Sequence, residues 1–542
     1  MYRFVFVALL GVFVACAPAA PSAPASGASG GAAATAPASA TTATAGQPVK
    51  GGTLVFASSI EPGSMDPRLQ NDTAAFRINE LVFNGLTTID QNLEPQPDLA
   101  EKIDNPDPHT YVFTLRKGVK FHDGSELTAD DVKATYDTML NPDFKSPRRA
   151  LYDAINQIDV VDKYTVRFNL KYPFSALLVF LDHGIVPRAL AENPSSNLAS
   201  TPVGTGPFKF NQWIKQDRIE LEGFKDYFKG APNLDKFTFR IIPDLNAEVV
   251  GVETGEIQLL GNVAPPNARD TKRLQDSPKA GVKVLSTTAP GYTYVNLNLA
   301  KPVLADKNVR QALAYLTDRE TITKTIYAGI SKPGCSPLSP GTWAHDPSIQ
   351  CITFDPARAK QLLDSAGWAV GPDGKTRQKN GQPLKISLRT HTADDQRAQV
   401  SEFLQNAWRE AGIDVDVQPA VQFAALQDLL VKGDYDAIIV GWVSLSDPDR
   451  AMYRSFQSSS PSNWGHYNNP EVDKLLEQAR QVSDRPERKK LYVQAANMVV
   501  SDSPYIFFED QAYVNLVRDN VQGYVLNPSG SIKSVEKVWL NK

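Results

Sequence analysis

The chain has 542 residues, far more than one hydrophobic core requires, so two or three lobes are expected. Hydrophobic residues make up 42% of it and charged residues 21%, a balance too polar for several membrane spans. With 56 basic against 60 acidic residues and a net charge of −4, it offers no broad cationic surface, which argues against nucleic acid as a partner.

At the N-terminus, Tyr2-Arg3 precedes an apolar run from Phe4 to Val14. That run is shorter than the roughly 20 residues a permanent spanning helix needs, and 1–15 reads as a signal peptide. Phe13-Val14-Ala15 stand before Cys16, so the segment resembles a bacterial lipobox in which Cys16 is lipidated and becomes the mature N-terminus. The plainer alternative is a secretory peptide cut nearby, with Cys16 unmodified. Both carry the protein out of the cytoplasm. From Ala17 to Val49 the chain is Ala, Pro, Ser, Gly and Thr with one Gln and no charge, and it lacks the side chains that offset ordering entropy. Residues 16–50 are therefore read as a lipidated cysteine plus a disordered linker, with a reach of about 30 Å.

The folded body begins at Gly51, where GGTLVFA reads as a first strand followed by the turn-rich SSIEPGSMDP. Residues 110–116 and 119–121 read as extended, and Thr128 as the N-cap of a helix through Met139 that Asn141-Pro142 ends. Cys335 and Cys351 flank a loop rich in Pro, Ser and Gly. In an exported protein a disulfide between them is the simple reading, two free thiols the alternative. Further on, Asp355-Pro356 opens a helix that Gly367 closes. A strand at 384–388, a helix at 397–411, a strand at 413–417, a helix at 422–432 and a strand at 435–442 give an α/β rhythm. The run YDAIIVGW has the apolar continuity of a strand covered on both faces. Asn469-Pro470 opens one more helix.

Chemistry is sparse. Six scattered histidines form no HExxH and no close metal pair, so no metal site is expected. Gly27-Ala28-Ser29-Gly30 lies in the linker and misses the spacing of a serine elbow. Gly204-Thr205-Gly206 lacks the third glycine of a dinucleotide motif, and Pro207 beside it favours a tight turn. No catalytic residue and no cofactor are assigned, and the chain is read as a binder rather than an enzyme. The rival readings are a secreted hydrolase, whose residues would meet only on folding, and a surface adhesin on the same scaffold.

Several blocks carry a resemblance: GGTLVFA, TYVFTLRKGVKFHDGSELTADDV, PVGTGPFKFNQW, GFKDYFKGAPNLDKFTFRIIPD, YTYVNLNLAKPVLADKNVRQALAYLTDRE, DYDAIIVGW and NNPEVDKLLEQAR. In order and spacing, from Gly51 to about Asn527, they resemble the ABC-transporter solute-binding proteins of family 5, the oligopeptide, dipeptide and nickel-binding group. The resemblance implies an α/β, two-lobed periplasmic-binding-protein clamp (type II-like) that closes on a ligand for an ABC permease. It also implies a discontinuous lobe I (51–84, 203–290 and 505–542) with an inserted subdomain (85–202), and a lobe II (291–504). The expected protein is a monomeric receptor held at the membrane through its lipid, taking a peptide or another small polar solute.

In peptide-binding relatives an aspartate three residues past the GW tryptophan pairs with the ligand's ammonium, but here that position is Leu445, and the stretch from Trp442 to Pro448 is one residue shorter. Either Asp447 or Asp449 takes that role, or the ligand has no such group, as in a sugar or an opine-like compound. Position within the matched blocks adds Ser58 and Ser59 after the first strand, Tyr292 and Tyr294 at the expected hinge, and Ser444 beside Leu445. Trp442, Trp464 and His466 are candidates for stacking on a ligand. Arg389 and Arg397 bracket a loop where a guanidinium could hold a carboxylate.

Overall fold

The computed structural model describes residues 47–262, 268–279, 281–392, 395–443 and 446–541. Cys16, most of the uncharged linker, Ser444 and Leu445 lie outside the described residues.

Thr53–Ser58 (β1) buries Leu54, Phe56 and Ala57 and leads to helix Thr73–Val82 (α1), which Asp72 caps by accepting the Ala75 N–H. A separate four-stranded antiparallel sheet follows, built from Ala100–Asp107, Thr110–Leu115, Thr165–Leu170 and Ile155–Asp162 in that spatial order. Helix Ala129–Leu140 (α2) packs on it through Tyr136, with Phe113, Phe168 and Tyr152 filling the space between. Thr128 and Asp131 form its capping box. Residues 119–121, expected to be extended, form only one isolated bridge, Lys120 to Glu126; the sequence turns at Gly118 and Gly124, both at positive φ, and a strand has no room between them.

The main sheet takes strands from almost the whole chain: Phe208–Ile214 (β2), Arg218–Gly223 (β3), Lys236–Ile241 (β4), Leu259–Asn262 (β5), Val282–Leu297 (β6), Lys385–Arg389 (β7), Asp414–Val417 (β8), Ala437–Trp442 (β9) and Tyr505–Arg518 (β10). Helix Asp395–Arg409 (α3) joins β7 to β8, while Pro448–Phe456 (α4), Pro470–Gln481 (α5) and Arg485–Asp502 (α6) lie between β9 and β10. The order is β8-β7-β9-β6-β10-β5-β1-β4-β3-β2, with Lys332–Pro333 pairing beside β10. Among the described residues, only β6 and β10 belong to both halves. Residues 282–288 of β6 pair with 512–518 of β10 in the first half; 292–296 pair with 505–510 in the second, and the register shifts between Thr288 and Tyr292. β9 joins β6 only at 292–297, and β5 joins β10 only at 514–517. The sheet of the second half is covered on both faces, as the apolar run of β9 predicts: Ile438 and Val440 pack to one side, Ala437 and Ile439 to the other.

The four-stranded sheet is fastened to the first half. The fully buried Asp98 carboxylate takes ion pairs from Lys229 at 2.5 Å and Lys533 at 2.6 Å and a hydrogen bond from Asn84. Cys335 and Cys351 are bonded, with Cα atoms 5.6 Å apart, and the loop they close lies on the strand crossing, where Ser339 Oγ donates to the Ala289 carbonyl.

Gly204-Thr205-Gly206 is a close-approach turn and no phosphate cradle. A Cβ on Gly204 would stand 2.1 Å from the Val82 carbonyl oxygen, and one on Gly206 would stand 2.4 Å from that of Leu81. His122 ties the turn down, its Nδ1 accepting the Gly204 N–H at 3.4 Å and its Nε2 lying 3.0 Å from the Gly206 carbonyl. Burial pushes this imidazole down to about 4. The unfolded value is near 6.5, so the neutral ring's contribution is whole above that pH and is lost as pH falls through the folded value. Stability to urea is expected to fall by about 3 kcal/mol from this group between pH 6.5 and 4. His122→Gln should flatten that part of the profile; an unchanged slope would assign the acid sensitivity elsewhere.

Candidate functional site

Where β6 and β10 cross between the halves, β6 carries Ala289-Pro290-Gly291 and β10 carries Gln511. Gln511 donates through Nε2 to Thr293 Oγ1 at 3.1 Å. A Cβ on Gly291 would meet the Trp442 carbonyl oxygen at 2.6 Å and Gln511 Oε1 at 2.7 Å; one on Gly441 would meet Arg397 Nη2 at 2.7 Å and Gln511 Nε2 at 2.8 Å. These two glycines allow β9, Gln511 and Arg397 to converge on the crossing. Arg397 in turn places Nη1 2.8 Å from His391 Nε2.

Beyond the end of β9, Trp442 stacks on Trp464 with ring centroids 5.3 Å apart and planes at 21°. The Arg454 guanidinium lies 4.6 Å from the Trp442 ring centre, and its Nε donates to Ser462 Oγ at 3.1 Å. Arg450 is one turn earlier on α4, so the two guanidiniums share a helical face. Burial pushes Arg450 down to about 10, and the like charges of Arg148 and Arg454 add to the effect. Arg148 comes from the segment carrying the four-stranded sheet. Burial lowers it too, and its Nε is buried with no hydrogen-bond acceptor among the described residues. Nearby, Asp182 pairs with His183 at 2.8 Å; against the cost of burial, His183, Arg148 and Arg450 hold that carboxyl below the usual range. Burial keeps His183 itself low and hence neutral.

Asp447 and Asp449 already have cations of their own. Asp447 caps α4, accepting the Asp449 N–H at 2.9 Å, and receives Arg488 Nη2 of α6 at 2.9 Å. Asp449 faces Arg480 Nε of α5 at 3.0 Å. Each carboxylate is thus paired with an arginine of a following helix. Tyr292 and Tyr294 are both 0% exposed, with Tyr294 stacked on Tyr505 at 4.1 Å and Tyr292 edge-on to Phe507 at 5.1 Å. They fill the core beneath the crossing.

Other candidates are dispersed. Arg389 donates to Gln418 at 3.2 Å, apart from Arg397. His466 is exposed at positive φ, on a cavity of about 410 Å³ that it shares with Trp464, Leu430 and Asn468. Ser58 closes back on the Ile60 backbone at 3.2 Å, and Ser59 is half-buried at the end of β1. Among the described candidates, Trp442 and Trp464 stack at the end of β9 and Arg397 approaches Gly441 just before it. Sequence reasoning missed Arg148, Arg450, Arg454 and Gln511. Arg450 and Arg454 were within reach of it, being four apart on a helix that Asp447-Pro448 announces; nothing local marks Arg148 or Gln511.

Comparison with known proteins gives one consistent result. The profile of the bacterial extracellular solute-binding proteins, family 5 (middle region), matches residues 94–464. The oligopeptide-binding protein AppA of Bacillus subtilis is 32% identical over 515 residues, covering 92% of this chain and 93% of its own. The glutathione-binding protein GsiB of Pectobacterium atrosepticum is 30% identical, covering 86% and 90%. Among solved structures, AppA in complex with a nonapeptide superposes with a TM-score of 0.81, over 92% of this chain and 100% of that one. NikZ of Campylobacter jejuni in complex with Ni(L-His) gives 0.80 at 27% identity, over 90% and 99%.

The pairing of Asp447 makes a direct prediction. Asp447→Asn leaves the Arg488 guanidinium buried without its counter-ion and should cost about 3–5 kcal/mol in urea unfolding. Adding Arg488→Met should restore much of the loss, and a single variant of unchanged stability would show that the pair does not hold α4 to α6.

Proposed function

Since the chain belongs to the bacterial extracellular solute-binding proteins of family 5, we propose that it is the capture component of an ABC importer, closing two lobes over a small polar solute and presenting it to the permease. The observation that carries this reading is the double crossing: among the described residues two strands alone run through both half-sheets, and the Trp442–Trp464 stack with Arg454 lies just beyond it. Ala289-Pro290-Gly291 and Gln511 are the hinge. On this reading the lobe boundary lies within β10. The four-stranded sheet rides with the first lobe through Asp98.

The halves meet where the Ser175 N–H donates to the Arg480 carbonyl at 3.0 Å, the Arg480 guanidinium lies 4.7 Å from the Phe174 ring centre, and Glu94 pairs with Arg485. These are contacts of a closed clamp. The names of the relatives, an oligopeptide binder and a glutathione binder, favour a peptide or peptide-like solute. Capture requires no bond making, and we assign no catalytic residue and no cofactor. We assign Cys16 as the lipid attachment point that holds a monomeric receptor at the outer face of the membrane. Among the described residues no helix is long and apolar enough to cross a membrane.

Two measurements test this. A solute that binds the folded clamp must raise its melting temperature by mass action, by an amount that grows with concentration. Screening di- to nonapeptides and small metabolites should find one that does so and also shrinks the radius of gyration in solution scattering. Turnover of a solute, or no shift with any, overturns capture. For the anchor, Cys16→Ser should move the protein from the membrane fraction to the medium or periplasm and abolish incorporation of a labelled fatty acid; a membrane-bound variant removes Cys16 from that role.

A further inference from the structure

One segment touches both strands of the crossing and belongs to neither. From Gly334 to Asp355 the chain forms no helix and no strand, and the bond between Cys335 and Cys351 ties most of it into a loop. At its start Gly334 lies against β10: its N–H donates to the Phe508 carbonyl at 3.3 Å, and a Cβ there would stand 2.7 Å from the Asp510 nitrogen. In its middle, Ser339 Oγ donates to the Ala289 carbonyl of β6 at 3.4 Å, and a Cβ on Gly341 would stand 2.4 Å from that same oxygen and 2.5 Å from the Pro290 nitrogen. Toward its end, the Gln350 N–H donates to Asn497 Oδ1 at 3.0 Å and Asp346 pairs with Lys489 at 3.2 Å, both on α6. Arg319 then donates to the Ile352 carbonyl at 2.8 Å and to the Phe507 carbonyl of β10 at 2.7 Å. The loop is thus fixed to the second half and grips β6 at 289–290 and β10 at 508–510, where the two strands pass between the halves. Closing a loop with a disulfide removes conformational freedom that would otherwise draw it off the strands. Cys351 is exposed and Cys335 half-buried, so a thiol in solution reaches the bond at Cys351.

We propose that the Cys335–Cys351 bond is a redox-sensitive stay on the hinge: oxidised, it holds the loop against both strands and confines the bend; reduced, it releases the loop, the bend spreads along β6 and β10, and the halves rotate more freely. This rests on the capture reading, for which that rotation is the closing step. Reduction is a thiol–disulfide exchange with an external dithiol. One thiolate of the dithiol attacks the Cys351 sulfur, the bond to Cys335 breaks, and its electron pair leaves on the Cys335 sulfur, which takes up a proton. The second thiolate of the dithiol then displaces Cys351, which is protonated in turn, and the reductant leaves as its own disulfide. Two electrons and two protons pass to the protein.

The test uses the whole protein, oxidised and after treatment with dithiothreitol under conditions where it stays folded. Titration should find two thiols gained per chain. Amide hydrogen exchange in residues 287–293 and 508–512 should then rise by about 10-fold, with β7 and the four-stranded sheet unchanged. The radius of gyration of the solute-free protein should grow in solution scattering, and Cys335→Ser combined with Cys351→Ser should reproduce both effects. Gly341→Ala keeps the bond but pushes the loop off Ala289, and it should raise exchange at the same residues. A folded protein that gains no thiols overturns the proposal, as does hinge exchange unchanged once both thiols are free, or unchanged in Gly341→Ala. A uniform rise across the chain with a lower melting temperature makes the bond a staple of the whole fold and overturns it too. No readout here uses a solute, so failure of the stay leaves capture standing, and a failed solute screen leaves these results to be read on their own.

Discussion

The pairing of two strands governs the rest of the molecule. β6 and β10 are buried along most of their length, and each is hydrogen-bonded into the sheet on both sides of the crossing. Their register shifts between Thr293 and Tyr294 and again across Ala289-Pro290-Gly291. Proline there brings no N–H to a ladder, and glycine admits the Trp442 carbonyl and Gln511 at distances any side chain would forbid. Elsewhere, bending would cost continuous hydrogen bonds and packed core. Rotation of one half against the other is therefore concentrated at a few residues, the usual basis of hinge closure. The bonded Cys335–Cys351 loop, resting on the Ala289 carbonyl, braces the outside of that stretch.

Beside the hinge, ion pairs decide what the cleft can offer. Asp447 and Asp449 sit in the first turn of α4, where the helix dipole favours acids, and each reaches a different following helix: Arg488 of α6 and Arg480 of α5. Three helices are thereby locked together behind the site. Arg454, on the same helix, lies over the Trp442 ring.

The sequence made much of the fold legible and little of the site. Helices opened by Asp-Pro or Asn-Pro, at Pro356, Pro448 and Pro470, begin where local capping chemistry places them, because a cap is satisfied within three residues. The buried strand β9 was readable from its unbroken apolar run. The matched blocks pointed to the two-lobed architecture as a whole. Side-chain roles were another matter. Asp447 and Asp449 looked available because Arg480 and Arg488 stand more than thirty residues away in sequence, and only folding brings them close. Tyr292 and Tyr294 lie near the hinge, yet strand alternation points both at the core, toward Tyr505 and Phe507. Gln511 reaches Thr293 from more than two hundred residues away, a contact no local pattern could reveal.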